Sequence, residues 1–216
     1  ADKLDLLGVR TQLSKMVKVA THLRNREFGR ARDQIDNDQG INPLLDKIIT
    51  GWAVAEEGNI EDAKLIFDKI GNGTSLAQFS QTQKASMLAA FGQYESALNT
   101  IEILEEDFNR LSIDARVMKV QLLLKLDRQE KAAEYFSKNF VDAISSDADK
   151  LKLQIENHPN ALSLGTNLSL ESGIAYAFYA IGDILKDEAD PNTALLYVRL
   201  AQYLYQNSEK AILLAA

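Results

Sequence analysis

Five alanines fix most of what this chain can become. Ala31, Ala63, Ala97, Ala132 and Ala194 each open an amphipathic stretch, and they are separated by 32, 34, 35 and 62 residues. A period in this range points to a repeated supersecondary unit before anything else is considered. Each alanine leads a stripe of helical spacing. Ala63, Ile66, Phe67 and Ile70 form one; Ala97, Ile101, Leu104 and Phe108 form another; Ala132, Phe136 and Phe140 form a third. Apolar residues three and four apart share one side of a helix. No stretch of strand-like alternation is long enough to compete. Just before each stripe lies a short break: Arg26-Glu27-Phe28, Glu57-Gly58-Asn59, Phe91-Gly92-Gln93, Leu126-Asp127-Arg128 and Ala189-Asp190-Pro191. Glycine in such a break takes the left-handed conformation that ends a helix. Asn59 and Asp190 can accept the free amides that start the next one, and Pro191 suits a first helical position. The unit is therefore helix, tight turn, helix.

The remaining composition agrees and removes whole classes of function. Three prolines and eleven glycines in 216 residues are few for a turn-rich β fold. The net charge of −7, without a basic stripe, disfavours nucleic-acid and anionic-membrane partners. Absence of cysteine removes disulfides, thiol catalysis and thiolate metal sites. No apolar run reaches the roughly 18 residues of a membrane helix. The chain opens on Ala1 rather than Met, as a trimmed piece of a longer protein would.

Residues 173–207 carry the fullest version of the unit. Phe178, Ile181, Gly182 and Leu185 lie on its first helix, and Ala194, Val198 and Ala201 on its second. This pattern resembles the tetratricopeptide repeat, whose small residues stand where helices cross closely. Gly51, Val54, Gly58, Ala63 and Phe67 follow it in the second unit; Ala85, Leu88, Gly92, Ala97 and Ile101 in the third; Leu123, Ala132 and Phe136 in the fourth; Ala31 and Ile35 in the first. Lys47 stands in a large-residue slot and Gln206 where proline is usual, so the match is uneven. The resemblance implies an all-α, right-handed solenoid of about five antiparallel pairs, read as a single domain. Its repeats fall near 12–43, 44–77, 78–111, 112–141 and 173–207, with an insertion near 142–171. Two segments, GWAVAEEGNIEDAKLIFDKI and GIAYAFYAIGDIL…ALLYVRLAQYLY, also look similar to long repeat proteins of alphaproteobacteria, which would point to the cell envelope.

A stacked array buries one side of each pair and leaves a concave wall built from first helices. Residues expected on that wall are Ile48, Trp52, Thr82, Ser86, Val117, Gln121, Tyr179 and Asp183. Trp52, the only tryptophan, would combine apolar area with a polar handle there, or serve as packing. Cations that clamp the terminal carboxylate of chaperone tails in some repeat proteins of this family have no counterpart at Met16, Ile48, Thr82 and Val117. The line suits a helix or an extended peptide better. The expected function is a non-catalytic interaction scaffold. The alternative is a regulatory or assembly domain of a larger chain, self-associating through exposed solenoid ends. No cofactor or metal is expected: His22 and His158 have no ligand partner at helical spacing, GNG at 71–73 is a loop, and the carboxylates of 102–107 read as a solvated face.

Two segments remain open. In the insertion, Leu151, Leu153 and Ile155 suggest a short helix ended by Pro159, followed by a loop with Gly165; it either completes the stack or adds to the binding face. Residues 208–216 start a further helix whose apolar end, ILLAA, caps a solenoid poorly. It calls for more chain, a partner or a second copy, or docks back as a short closing helix.

Overall fold

The computed structural model describes residues 11–37, 40–70, 75–108, 110–140, 146–156, 169–188 and 191–206. Eleven helices and no strand occur among the described residues. In chain order they are α1 (Gln12–Arg24), α2 (Phe28–Asn37), α3 (Pro43–Glu56), α4 (Ile60–Asp68), α5 (Ser75–Ala90), α6 (Tyr94–Asp107), α7 (Ile113–Lys125), α8 (Gln129–Asn139), α9 (Ser146–Glu156), α10 (Leu170–Glu188) and α11 (Pro191–Leu204).

The periodic alanines sit behind four turns of one design. Each turn places a single residue in the left-handed region: Arg26 (φ 60°), Gly58 (φ 93°), Gly92 (φ 74°) and Asp127 (φ 55°). The next residue's N–H then donates five positions back, from Glu27 to His22, Asn59 to Val54, Gln93 to Leu88 and Arg128 to Leu123. These bonds satisfy carbonyls that the ending helix leaves bare. The carbonyl of that same residue accepts the first bond of the new helix, from Ala31, Ala63, Ala97 and Ala132 in turn. The alanine therefore always falls five residues after the left-handed position, and all four alanines are fully buried. A larger side chain would push the two helices of the pair apart.

Two of the four left-handed positions are not glycine. A residue with a Cβ there costs about 1–2 kcal/mol, while glycine gives back part of that through its greater freedom in the unfolded chain. Asp127→Gly is therefore expected to raise stability by about 1 kcal/mol or less, read from urea denaturation at constant slope. Unchanged or lowered stability would mean that Asp127 relieves its own strain.

The chain forms two compact units, Ala1–Phe67 with Ser169–Ala216, and Asp68–Leu168. In the first, α1 pairs with α2, α2 packs on α3, and the α10–α11 pair closes the arrangement, with α10 on α3 and α11 on α1. Periodicity alone strings the five pairs in chain order. The last pair instead belongs with the first two, because its apolar stripe meets theirs: Leu170, Ile174, Ala177 and Phe178 of α10 are fully buried, as are Leu45, Ile48, Ile49 and Trp52 of α3. In the second unit, α5 pairs with α6 and α7 with α8; α5 and α7 touch, and α9 packs on α7 and α8.

The insertion's helix is present as α9. Leu151 is buried, Ile155 is half-buried and Leu153 is 56% exposed. Residues two apart do not share a side of a helix, so the three apolar positions could not all face inward. His158, Pro159, Gly165, Asp190, the GNG loop and residues 208–216 lie outside the described residues.

Candidate functional site

The site to be tested is the face of the first helices. The eight residues expected on it fall four to each unit, and each unit gives its own answer.

In the first unit the face is α1 and α3. Asn42 caps α3, its Oδ1 accepting the amides of Leu44 and Leu45, and Pro43 takes the first helical position. This fixes the phase of α3 and directs Ile48 and Trp52 to one side. Both have 0% exposure. They are corrected from groove surface to core: α10 lies where the groove would be. The contact is closest at Gly173, where a Cβ would stand 2.2 Å from Trp52 Cζ2 and 2.4 Å from Cε2. About one turn before this crossing, α10 begins with a reciprocal cap, in which Ser169 Oγ accepts the Ser172 amide and Ser172 Oγ accepts the Ser169 amide. Farther along, Gly182 brings α10 onto α11; a Cβ there would meet Val198 Cγ2 at 2.9 Å and the Ala194 carbonyl at 3.1 Å. Ala194 and Ala201 are buried at this crossing. Gly51 of α3 makes an equivalent close approach, where a Cβ would stand 2.8 Å from Phe67 Cε2 and Cζ. Tyr179 and Asp183 keep partial exposure: the Tyr179 ring lies 6.3 Å from Tyr176, and Asp183 pairs with Lys186 at 2.7 Å.

Polar contacts ring this socket. Arg26, raised by its left-handed turn, forks between Glu56 of α3 at 2.7 Å and Glu171 of α10 at 3.0 Å. Arg32 pairs with Glu57 at 2.8 Å. Arg24 donates to the Tyr203 carbonyl at 3.0 Å and lies 4.5 Å over the Tyr203 ring, tying α1 to the end of α11. None of these contacts stands out in the sequence. Gly173 is the available signal, a glycine inside a strongly apolar helix with no turn to explain it.

Asp46 of α3 is a titratable group held away from its ordinary value. Burial pushes its carboxyl up from the usual 3.8, Ile41 and Asn42 amides oppose this, Asp36 adds to it and Lys15 offsets it. Its oxygens accept the Ile41 amide at 2.9 and 3.2 Å. A folded pKa above the unfolded one adds stability that is complete below about 3.8 and is lost as pH rises through the folded value. The stability of the native chain relative to Asp46→Asn is thus expected to be greatest near pH 3 and to shrink toward pH 7. Paired urea titrations at the two pH values check the sign.

In the second unit the face is α5 and α7. Thr82 and Gln121 are buried, and Thr82 returns its hydroxyl to the Gln78 carbonyl at 2.7 Å. They are corrected from open groove to helix interior. Ser86 and Val117 are half-buried and stay accessible. Ser86 donates to the Thr82 carbonyl at 2.9 Å and lies 4.0 Å from Met118 Sδ. Behind this face, Glu105 of α6 accepts from Lys119 of α7 and, at 2.9 Å, from the Tyr135 hydroxyl of α8. Burial, and then the Glu105 bond, push the Tyr135 phenol up. The Glu105 carboxylate thus joins all three helices, with Lys119 4.6 Å over the Tyr135 ring. Phe136 stacks on Phe140 at 4.9 Å.

The described residues hold no group of three or more His, Asp or Glu side chains arranged for a metal. His22 instead binds Glu27 at 2.6 Å. No described helix is long and apolar enough to cross a membrane. Comparison with protein families, with curated proteins and with solved structures returns no match.

Proposed function

We propose that this chain is a non-catalytic protein-interaction scaffold of tetratricopeptide-like helix pairs, taking a helix or peptide against its first helices. One observation supports the reading: α3, a first helix, already packs against a helix from far along the chain. Trp52 and its neighbours pack on α10 through a glycine crossing and an apolar stripe, the kind of contact that helix-in-groove recognition uses between chains. The same kind of face in the second unit keeps Ser86 and Val117 accessible.

The test uses that second face. The full chain, immobilised, is used to capture partners from extract. A combined Ser86→Arg and Val117→Arg exchange is expected to reduce capture at least ~10-fold while the helical circular-dichroism signal and melt stay unchanged, since anchor residues carry most of an interface's energy. Capture that survives this exchange, and survives Tyr179→Ala in the first unit, sinks the reading. Any catalytic turnover by the purified chain would do the same for its non-catalytic part.

A further inference from the structure

The socket around Trp52 is closed by a segment from far along the chain. The backbone leaves the first unit at Phe67, builds a compact unit of 101 residues, and returns at Ser169. What returns is a hairpin whose two helices pack on each other. Helices α10 and α11 cross at Gly182, Phe178 faces Tyr197 with ring centres 6.0 Å apart, and the start is capped by its own Ser169 and Ser172. Its seat on α1 and α3 has an apolar centre, Trp52 against Gly173, and a rim of exposed charge, Arg26 to Glu171. Nothing in the seat depends on which copy of the chain supplies the hairpin.

We propose that the α1–α3 face is an exchangeable docking site whose occupant is an α10–α11 hairpin, and that a second copy of the chain can supply it, so that two chains trade hairpins and close each other's first unit. This rests on the reading of the first-helix face as a helix receptor, and it names the partner. Exchanging identical elements makes a two-fold dimer without any new interface. Both arrangements contain the same contacts, so the balance is set by protein concentration against the effective concentration of the tethered hairpin, about millimolar for a short flexible tether and different for this one.

The experiment reverses charge on the two sides of the rim. In the Arg26→Glu chain, the new carboxylate faces Glu56 and the chain's own Glu171. In the Glu171→Arg chain, the new guanidinium faces the chain's own Arg26. A traded pair of the two chains has one native rim and one inverted rim, both attractive. The variants are unfolded in urea, refolded separately and together, and weighed by native mass spectrometry, with a ¹⁵N-labelled and unlabelled wild-type mixture alongside. Dimers of twice the 24.0 kDa chain mass are expected, with mixed dimers enriched roughly tenfold over either variant alone, as two exposed charge contacts allow. A variant that folds only in the mixture also supports the exchange. Folded variants whose mixture holds no more dimer than its components overturn it. If neither variant folds, the wild-type arm decides: mixed-isotope dimer after refolding at high concentration supports the exchange, and its absence overturns it. The capture test in the second unit reads independently, so failure of exchange and failure of the scaffold reading remain distinct.

Discussion

Replacing Trp52 by alanine is expected to cost about 3–5 kcal/mol, the range for emptying a large aromatic site in a packed interior. Trp52 has no exposed surface, and α10 lies directly over its ring. Removing the indole leaves a void that a helix backbone at Gly173 cannot fill, because glycine has no side chain to swing in. A typical domain has about 5–15 kcal/mol in total, so the first unit would lose a large share of its stability. A groove position would instead tolerate the exchange with little loss. Urea denaturation followed by circular dichroism separates the two outcomes. In the native chain the single tryptophan adds a second probe: its emission reports the first unit alone, whereas circular dichroism reports all helices.

The reciprocal change should also be severe. Gly173→Ala removes a helix-interior glycine, which by propensity alone would gain about 1 kcal/mol. The added methyl would stand 2.2 Å from Trp52 Cζ2, well inside contact distance, against a ring that is itself enclosed. Overpacking of this kind costs about 1–3 kcal/mol or more, so the expected result is a net loss. The sign comes from packing overriding propensity. Introducing Trp52→Phe beside it should return part of the loss, since the smaller ring vacates the clash. The double exchange is thus expected to be less destabilising than the sum of the single ones, by an amount typical of residues in contact, about 0.5–3 kcal/mol. Strict additivity would show that the two residues do not share a socket.

Local features of the fold were legible and distant ones were not. Gly58 and Gly92 announce the left-handed turn position, and the alanine five residues on announces the next helix, because both constraints act within a short length of chain. Arg26 and Asp127 occupy the same position without announcing it, since their conformation is imposed by the surrounding helices. Helix period tells which residues share a face but not which face another helix covers. Trp52 lies in line with Ile48 on α3, and that line fits either a binding wall or a core. The choice was made by Gly173, 121 residues away, with no local sign linking them. Thr82 and Gln121 misled for a related reason. Their place in the repeat puts them on the wall without saying which part of it is covered, and a hydroxyl returned to its own helix, as at Thr82, can be buried at little cost. Ser86 and Val117, from the same line, are half-buried.

Because α1 and α11 lie in one unit, a load applied between residues 11 and 206 meets the short path first. Tension would pass from α1 to α11 through Arg24, whose guanidinium holds the Tyr203 carbonyl and covers its ring. The 101 residues of Asp68–Leu168 lie outside that path as stored length, bearing no force while the two helices remain together. Once they part, tension passes to the α3–α10 contact at Trp52 and Gly173, and it reaches the second unit only when that contact opens too. Stretched by its ends, this chain would yield in a fixed order, with the outermost helices acting as the fuse for the repeats between them.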